Sequence, residues 1–485
     1  MNSNKKTVKK NYIYNLIYQL AVMIVPLITT PYISRVLEPT GIGIYSFTTS
    51  VSSYFVLIGN FGMATYGQLR IAAERDNSKK MTQEFWGIYI ARILMMAICT
   101  GFYAIYILFQ KQYTLMYWVL IIQLIASAFD ISWFFQGVEE FKKITTRNLL
   151  VKFAGVILTF LLVKNKNDLY IYAIIMQASV LIGNISIYAY LKKFLTKINL
   201  KTIKIFLHIK QSFKYFIPTI ATSIYTLLDK SMIGWITHSE VENGYYEQAQ
   251  KIEQMAVTVV TSLSTVTLPR MAFLFKKNKI DEIKNRLHLS IKFIIWISFP
   301  MAAGLIGISN SLIPWFLGNG YDKSIKLLCI FSILIIIIGL NNAVGKQILM
   351  PTGKQKEYNI SVICGAIINF ICNCILIPTL KSTGAAIASV IAETVILLMF
   401  IRFSNNYITL KNIIIYSLKN FIAALFMGII TYIICNHLSK NFLSIIIEII
   451  VGIILYIGIL FILKDEFTID TSKKYILKLK NKIKN

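Results

Sequence analysis

Apolar runs of about twenty residues recur along almost the whole sequence, separated by short polar connections. A run of this length is what an α-helix needs to cross roughly 30 Å of hydrocarbon. Only the connections at 191–212 and 270–290 approach twenty residues, so no separate water-soluble domain fits between the runs. The pattern predicts an all-α polytopic membrane protein with about fourteen transmembrane helices. The predicted spans are 12–34, 42–67, 85–109, 113–136, 144–163, 168–190, 213–236, 244–269, 291–315, 324–350, 357–378, 383–401, 413–435 and 442–463.

Lysine and arginine are divided unequally between the two sides that these spans create. The N-terminal tail, the loops after even-numbered spans and the C-terminal tail hold 33 of the 50 such residues. The opposite loops hold seven, and the spans hold the other ten. Because cytoplasmic loops are enriched in these residues, we expect both termini to be cytoplasmic. Topology and attraction to anionic lipid headgroups then explain the net charge of +28, and we expect no nucleic-acid partner.

The sequence lacks the motifs of several kinds of chemistry. All six cysteines lie in apolar runs, where a thiol behaves as a small hydrophobic group. A Walker sequence, a phosphate-binding glycine loop, a metal-ligand cluster and a nucleophile triad are all absent from the sequence. We therefore expect no catalytic residues, no metal and no cofactor, and we do not expect an enzyme.

A weak internal repeat relates the two halves of the sequence. Gly43-Ile44-Tyr45 opens the second predicted span, and Gly244-Tyr245-Tyr246 opens the eighth. Because six spans separate the copies, and six is even, both halves point the same way through the membrane. A parallel repeat of this kind is a common plan for transporters, with the substrate site between the halves.

Four stretches carry a further signal: PYISRVLEPTGIG at 31–43, GMATYGQLRIAAER at 62–75, FDISWFFQGVEEF at 129–141 and GAAIASVIAE at 384–393. Together, and in this order, they resemble the bacterial polysaccharide-transporter family. Its members are lipid-linked oligosaccharide flippases of the multidrug/oligosaccharidyl-lipid/polysaccharide exporter superfamily. The likeness extends over essentially the whole chain.

The resemblance implies an architecture and a function. Residues 1–194 and 195–403 would form two six-helix lobes around a central cavity, and 404–485 would add two helices and a basic cytoplasmic tail. The function implied is alternating-access flipping of polyprenyl-diphosphate-linked oligosaccharide units to the outer leaflet of the bacterial cytoplasmic membrane, for capsule or exopolysaccharide synthesis. Other membrane proteins of polysaccharide assembly would be its protein partners.

Two other functions stay open. A related antiporter that exports cationic drugs would need acidic residues in its cavity, whereas cations outnumber the clear acids within the spans. A membrane-embedded polysaccharide polymerase would need paired carboxylates or a catalytic loop at the membrane surface. The largest loop opposite the basic side, 237–243, offers only His238, Glu240 and Glu242.

Charged residues within the spans are the candidate site, because an ion at mid-bilayer costs at least ~2.5–3.5 kcal/mol and usually faces a cavity or a partner. Arg92, Asp130 and Lys152 are expected to share a layer roughly 10 Å below the cytoplasmic surface. Excess cations suit a diphosphate group. The predicted substrate-binding residues are Arg35, Arg92, Asp130, Lys152, Asp229, Lys230, Lys251 and Arg270, and the candidates for ion or proton coupling are Glu393 and Asp130.

Five of these residues have an alternative role. Arg92 or Lys152 could pair with Asp130 only to hold helices together, with the remaining cation extending to the membrane interface. Arg270 could meet lipid phosphate at the end of its span. Glu393 could hydrogen-bond to Asn369 or Asn373 instead of binding an ion.

Overall fold

The computed structural model is helical throughout the residues that it describes, with no β-strand among them. It describes the backbone at 2–198, 203–277 and 279–473; side chains are described from Ile24 onward, except at 217–218, 221–226, 263–266, 268–270, 272 and 276. The helices are α1 (Asn2–Asn60), α2 (Met63–Glu74), α3 (Ser78–Leu108), α4 (Thr114–Ala128), α5 (Ser132–Gly137), α6 (Phe141–Leu162), α7 (Leu169–Ser186), α8 (Ile205–Thr237), α9 (Glu240–Lys276), α10 (Ile280–Leu317), α11 (Asp322–Asn341), α12 (Gln355–Leu380), α13 (Ser382–Phe403), α14 (Leu410–His437) and α15 (Phe442–Ile462).

Eleven segments of the described residues are long and apolar enough to cross a membrane. This confirms an all-α multi-pass membrane protein. The count of fourteen spans is not confirmed and stays a prediction. One of the eleven segments, Ile24–Glu74, contains a sharp kink, and the predicted spans in α8 and α9 are not among the eleven.

The first long helix, α1, is bent at its middle. It contains three prolines, Pro26, Pro31 and Pro39, each of which lacks the N–H that an α-helix needs. Glu38, just before the third proline, has φ 56° and ψ 172°, so the helical conformation is interrupted there. The residue before a proline is disfavoured in the helical region, which accounts for the position of the kink.

The contacts within the chain form two compact units, residues 1–244 and 245–485. In the first unit, α1, α3, α4 and α7 enclose one apolar cluster around Tyr103, Tyr117 and Leu120. A second cluster joins α2, α3 and α5 around Phe85 and Trp133. The lobe boundary predicted at 194/195 from the family resemblance stays a prediction.

Within the second unit, α10 packs against α11, α14 and α15, and α12 packs against α13. Tyr456 of α15 ties three of these helices together. Its hydroxyl donates to the carbonyl oxygen of Trp296 at 3.0 Å and is 2.6 Å from the amide oxygen of Asn420. A π-helical turn, Asn342–Leu349, continues α11.

The two glycines of the sequence repeat meet where the second half of α1 crosses the start of α9. A Cβ atom on Gly43 would lie 1.7 Å from the carbonyl oxygen of Glu240. A Cβ atom on Gly244 would lie 2.0 Å from the carbonyl oxygen of Pro39. Both helices therefore approach backbone to backbone, which only glycine allows at these two positions.

Candidate functional site

A polar cleft lies among α5, α6 and α7 and holds two of the predicted site residues. Its volume is about 450 Å³. We call it the α5–α7 cleft. It is lined by Asp130, Ser132, Gln136, Phe141, Ile144, Thr145, Arg147, Asn148, Val151, Lys152, Val180, Gly183 and Asn184.

Asp130 lies in the short non-helical connection between α4 and α5. One of its carboxylate oxygens, Oδ1, accepts hydrogen bonds from the backbone N–H of Ser132 at 2.9 Å and from its hydroxyl at 2.5 Å. The aspartate thus supplies the first turn of α5 with an acceptor, as N-terminal acidic and polar residues commonly do. Its other oxygen, Oδ2, is left to interact with cations nearby.

Arg147 is the best-connected residue of the α5–α7 cleft. Its guanidinium donates to the amide oxygen of Asn184 at 3.0 Å and to that of Asn148 at 2.9 and 2.5 Å. A further bond reaches the hydroxyl of Ser132 at 3.1 Å, the same hydroxyl that donates to Asp130. Asn184 in turn donates to the carbonyl oxygen of Ala126 at 2.7 Å. The network fixes the cation at the wall of the cleft.

Lys152 also lines the cleft and is half-buried. It follows Asn148 by four residues on α6, so the two side chains share one face of the helix. Arg147 and Lys152 therefore place two cations on one cleft wall, and Asp130 is the carboxylate among the lining residues.

Arg92 is buried, with a side chain only 2% exposed, and is not among the residues that line the cleft. Its Nε and one terminal nitrogen donate to the carbonyl oxygen of Ser127 at 3.1 and 2.8 Å, near the C-terminal end of α4. The same terminal nitrogen is 3.8 Å from Oδ2 of Asp130. This position favours the alternative in which Arg92 holds helices together, and its predicted ligand role stays a prediction.

The remaining predicted residues of the first unit lie on α1 and α8. Arg35 is exposed, Asp229 is buried and Lys230 is half-buried. The hydroxyl of Tyr54 is 2.7 Å from that of Ser231, and Asp229 is near enough to interact electrostatically with Tyr54. Their substrate-binding roles stay predictions. The side chain of Arg270 lies outside those that the structure describes.

In the second unit, Glu393 of α13 is buried and accepts a hydrogen bond of 2.6 Å from the side-chain nitrogen of Asn341. Asn341 also donates to the backbone oxygen of Glu393 at 3.1 Å. A second buried carboxylate, Glu253 of α9, is close enough for its charge to interact with that of Glu393. Asn373 donates to Asn369 at 3.2 Å.

Lys251 lies one helical turn from Glu247 on α9, with its ammonium nitrogen 3.4 Å from a carboxylate oxygen of that residue. Both side chains are partly exposed. An exposed pair of this kind contributes little to stability. The substrate-binding role predicted for Lys251 stays a prediction.

The comparisons with known proteins define what kind of protein carries these sites. A model of the family described as polysaccharide biosynthesis protein matches residues 8–275, more than half of the chain. The chain belongs to this family. Over 411 residues it is 26% identical to the "Putative O-antigen transporter" of Escherichia coli (strain K12), covering 83% of this chain and 98% of that protein.

Two solved structures share the fold of this family member. The lipid II flippase MurJ in its inward closed conformation matches with a TM-score of 0.73 and 18% identity, over 94% of this chain and 99% of that one. The eukaryotic MATE transporter AtDTX14 matches with a TM-score of 0.52 and 12% identity, over 84% of this chain and 98% of that one. At these identities the matches show the fold alone.

Two residues of these sites were not predicted from the sequence: Arg147, although it lies inside the predicted span 144–163, and Glu253. A signal for Arg147 was present. Arg147 and Val151 are four residues apart, and so are Asn148 and Lys152, which places each pair on one face of a helix. Counting Arg147 with the charged residues inside the predicted span 144–163 would have made it a candidate beside Lys152.

Proposed function

We propose that this protein is a flippase that moves polyprenyl-diphosphate-linked oligosaccharide units from the cytoplasmic to the outer leaflet of the bacterial membrane, for synthesis of a surface polysaccharide. The observation that carries the proposal is the near full-length likeness to a protein named as an O-antigen transporter. The fold shared with a lipid II flippase supports it, as an argument from analogy.

The α5–α7 cleft suits the diphosphate group of such a lipid. Arg147 offers a guanidinium charge that its hydrogen bonds hold at the cleft wall, and Lys152 adds a second positive charge. A diphosphate that leaves water without cationic partners would be strongly destabilised in hydrocarbon. The cleft lies at the beginning of α6, on the side that the positive residues predict to be cytoplasmic. Arg147 and Lys152 would therefore receive the substrate where it is made.

Alternating access would then carry the headgroup across the membrane. We propose that the cations of the cytoplasmic layer then release the diphosphate to Arg35 and Lys230, so that the anion keeps a cationic partner while it is away from water. Glu393 is the candidate for coupling this movement to a proton or cation, because it is a buried carboxylate held by an amide. No covalent chemistry on the sugar is part of this proposal, so the protein acts as a transporter and not as an enzyme.

The orientation follows from the same assignment and has its own test. With both termini cytoplasmic, a cysteine at Ser239 should react with an impermeant thiol reagent from outside. A cysteine at Ser78, an exposed position at the start of α3, should react only after permeabilisation. The exposed native Cys374 must first be replaced. Labelling of both positions from one side would contradict the predicted topology.

The flippase proposal is tested by deleting the gene in a strain without a redundant flippase. We expect lipid-linked repeat units to accumulate on the cytoplasmic leaflet and the surface polymer to disappear. Restoration by the intact gene is the control. If surface polymer persists, or if the purified protein elongates glycan chains, the proposal is wrong. Resistance to cationic drugs that falls on deletion while polymer persists would identify the exporter alternative.

A further inference from the structure

A second cleft lies in the first unit, away from the α5–α7 cleft, and no predicted site residue lines it. We call it the Trp235 cleft. It is formed by the second half of α1, the connection between α3 and α4, and the turn between α8 and α9. Its volume of about 170 Å³ corresponds to several water molecules at ~30 Å³ each. The lining residues that matter most are Phe47, Gln112, Tyr113, Trp235, Glu240 and Asn243.

Asn243 is the polar group that marks this cleft as a binding site. Its side chain is fully buried, and neither its amide nitrogen nor its amide oxygen has a hydrogen-bond partner. A buried amide without partners costs free energy of roughly 1–3 kcal/mol. Because Asn243 lines the cleft, a ligand there that both donates and accepts hydrogen bonds would supply what the protein does not.

Aromatic rings form the other part of the cleft. Trp235 is 46% exposed although it is the largest side chain of the lining. Phe47 contacts its indole edge to face at 6.4 Å, and Tyr54 stacks on it at 6.5 Å, so the ring is held in place. A rigid aromatic face beside amide groups binds ligands that have an apolar face and a polar rim.

The charges of the lining exclude a phosphate site. Lysine and arginine are absent from the residues that line the Trp235 cleft. Its carboxylate, on Glu240, accepts a hydrogen bond from the hydroxyl of Tyr113. An anion would meet this carboxylate without a cation to offset it, whereas a neutral polyhydroxyl ligand would not.

We propose that the Trp235 cleft binds one sugar ring of the transported oligosaccharide. The ring stacks on Trp235 while its hydroxyl groups exchange hydrogen bonds with Asn243 and Gln112. This inference rests on the proposed flippase function and adds a separate subsite for the glycan. The loops 109–113 and 237–243 lie on the side that the positive residues predict to face outward, so the subsite receives the glycan as it leaves the membrane.

The test measures sugar binding and lipid flipping in the same preparations. Purified protein in nanodiscs is mixed with N-acetylglucosamine, galactose or glucose, and contact is followed by saturation-transfer difference NMR. Trp235→Ala and Asn243→Ala are compared with Trp118→Ala, which removes a tryptophan that is also 46% exposed but lies on α4 outside the cleft. Gln112→Ala, at an exposed position, provides a variant that leaves the buried core intact.

We expect at least one of the three sugars to bind the unaltered protein. Trp235→Ala and Asn243→Ala should weaken its binding about fivefold to tenfold, as loss of a stacked ring or a hydrogen-bonding amide does. Gln112→Ala should weaken it less, and Trp118→Ala should leave it within about twofold. Inorganic phosphate should not compete.

The outcomes separate the two proposals. If the protein flips lipid-linked oligosaccharide in liposomes but none of the three sugars binds it, or the cleft variants bind as well as Trp118→Ala does, the sugar subsite is wrong and the flippase stands. Competition by phosphate also overturns the subsite. If the cleft binds sugar but the protein flips no lipid-linked oligosaccharide, the proposed function is wrong.

Discussion

One site in each compact unit presents charge in a different way. In the first unit, Arg147 has hydrogen-bond partners on three residues and lies on the wall of an open cleft. In the second, Glu253 and Glu393 are buried carboxylates, and one oxygen of Glu253 has no hydrogen-bond partner. Cations are thus presented to a cleft at the first site, whereas acids are enclosed at the second.

This difference suggests a division of labour. A held but accessible guanidinium suits an anionic ligand, since its partners fix its orientation while the cleft admits the ligand. Two enclosed carboxylates that repel each other suit a proton or a small cation, which relieves the repulsion. The first unit would then recognise the substrate, and the second would couple its movement to an ion.

The largest effect is expected for Arg92→Gln, because it removes a buried charge that holds the end of α4. Loss of its hydrogen bonds to Ser127 and of the pairing with Asp130 should lower the free energy of unfolding by about 3 kcal/mol. The measurement is protein abundance and thermal unfolding in detergent. If Arg92→Gln is as stable as the unaltered protein but inactive in flipping, Arg92 contacts the substrate and its role is not structural.

A smaller effect, on transport instead of stability, is expected for Arg147→Gln. Loss of the charge should slow flipping about 10- to 100-fold, with partial activity in Arg147→Lys because charge remains. Arg75→Gln is the matched control, since it removes an arginine whose guanidinium donates to another side chain, Glu139, but on the surface. Equal flipping rates for Arg147→Gln and Arg75→Gln would show that the α5–α7 cleft does not take part in transport.

In the second unit, Glu253→Gln should stabilise the protein by about 1 kcal/mol at neutral pH. The substitution replaces a buried carboxyl group, one oxygen of which has no hydrogen-bond partner, by a group that never has to be buried as an ion. Glu247→Gln, on the same helix, removes only the partly exposed pair with Lys251 and should change stability by less than about 0.5 kcal/mol. The measurement is the thermal stability of both variants relative to the unaltered protein. A destabilised Glu253→Gln would mean that the carboxylate already has a stabilising partner.

Asp130→Asn should have the smallest effect. The amide oxygen of asparagine can still accept the hydrogen bonds from Ser132, so only the attraction to Arg92 at 3.8 Å is lost. We expect a loss of about 0.5 kcal/mol in stability and flipping within about threefold of normal. Flipping that falls as far as in Arg147→Gln would instead make Asp130 part of the substrate or ion site.

The sequence predicted the class of fold because hydrocarbon imposes a length and an apolar composition on every span. It also placed Arg92 and Asp130 at similar depth, since helical rise converts residue number into height. It could not tell which of the two faces a cleft. Which side chain faces the cleft depends on the non-helical connection at Asp130 and on the packing of α6 against α7, which are tertiary properties.

The same limit explains Asn243 and Trp235. Each is unremarkable in the sequence, because an asparagine and a tryptophan near a membrane surface are common. Their juxtaposition arises from the turn between α8 and α9, and Phe47 of α1 joins them where α1 crosses α9 at Gly43 and Gly244.

The central claim, that the α5–α7 cleft receives the diphosphate of a lipid-linked glycan, is tested most directly by photo-crosslinking. A polyprenyl diphosphate carrying a photoreactive group next to the diphosphate is added to the protein in nanodiscs, and the modified peptides are mapped by mass spectrometry. The account predicts modification within 130–152 or 180–184, competition by lipid-linked oligosaccharide, and loss of the signal in Arg147→Gln but not in Arg75→Gln. Modification confined to other segments, or a signal unchanged in Arg147→Gln, would contradict it.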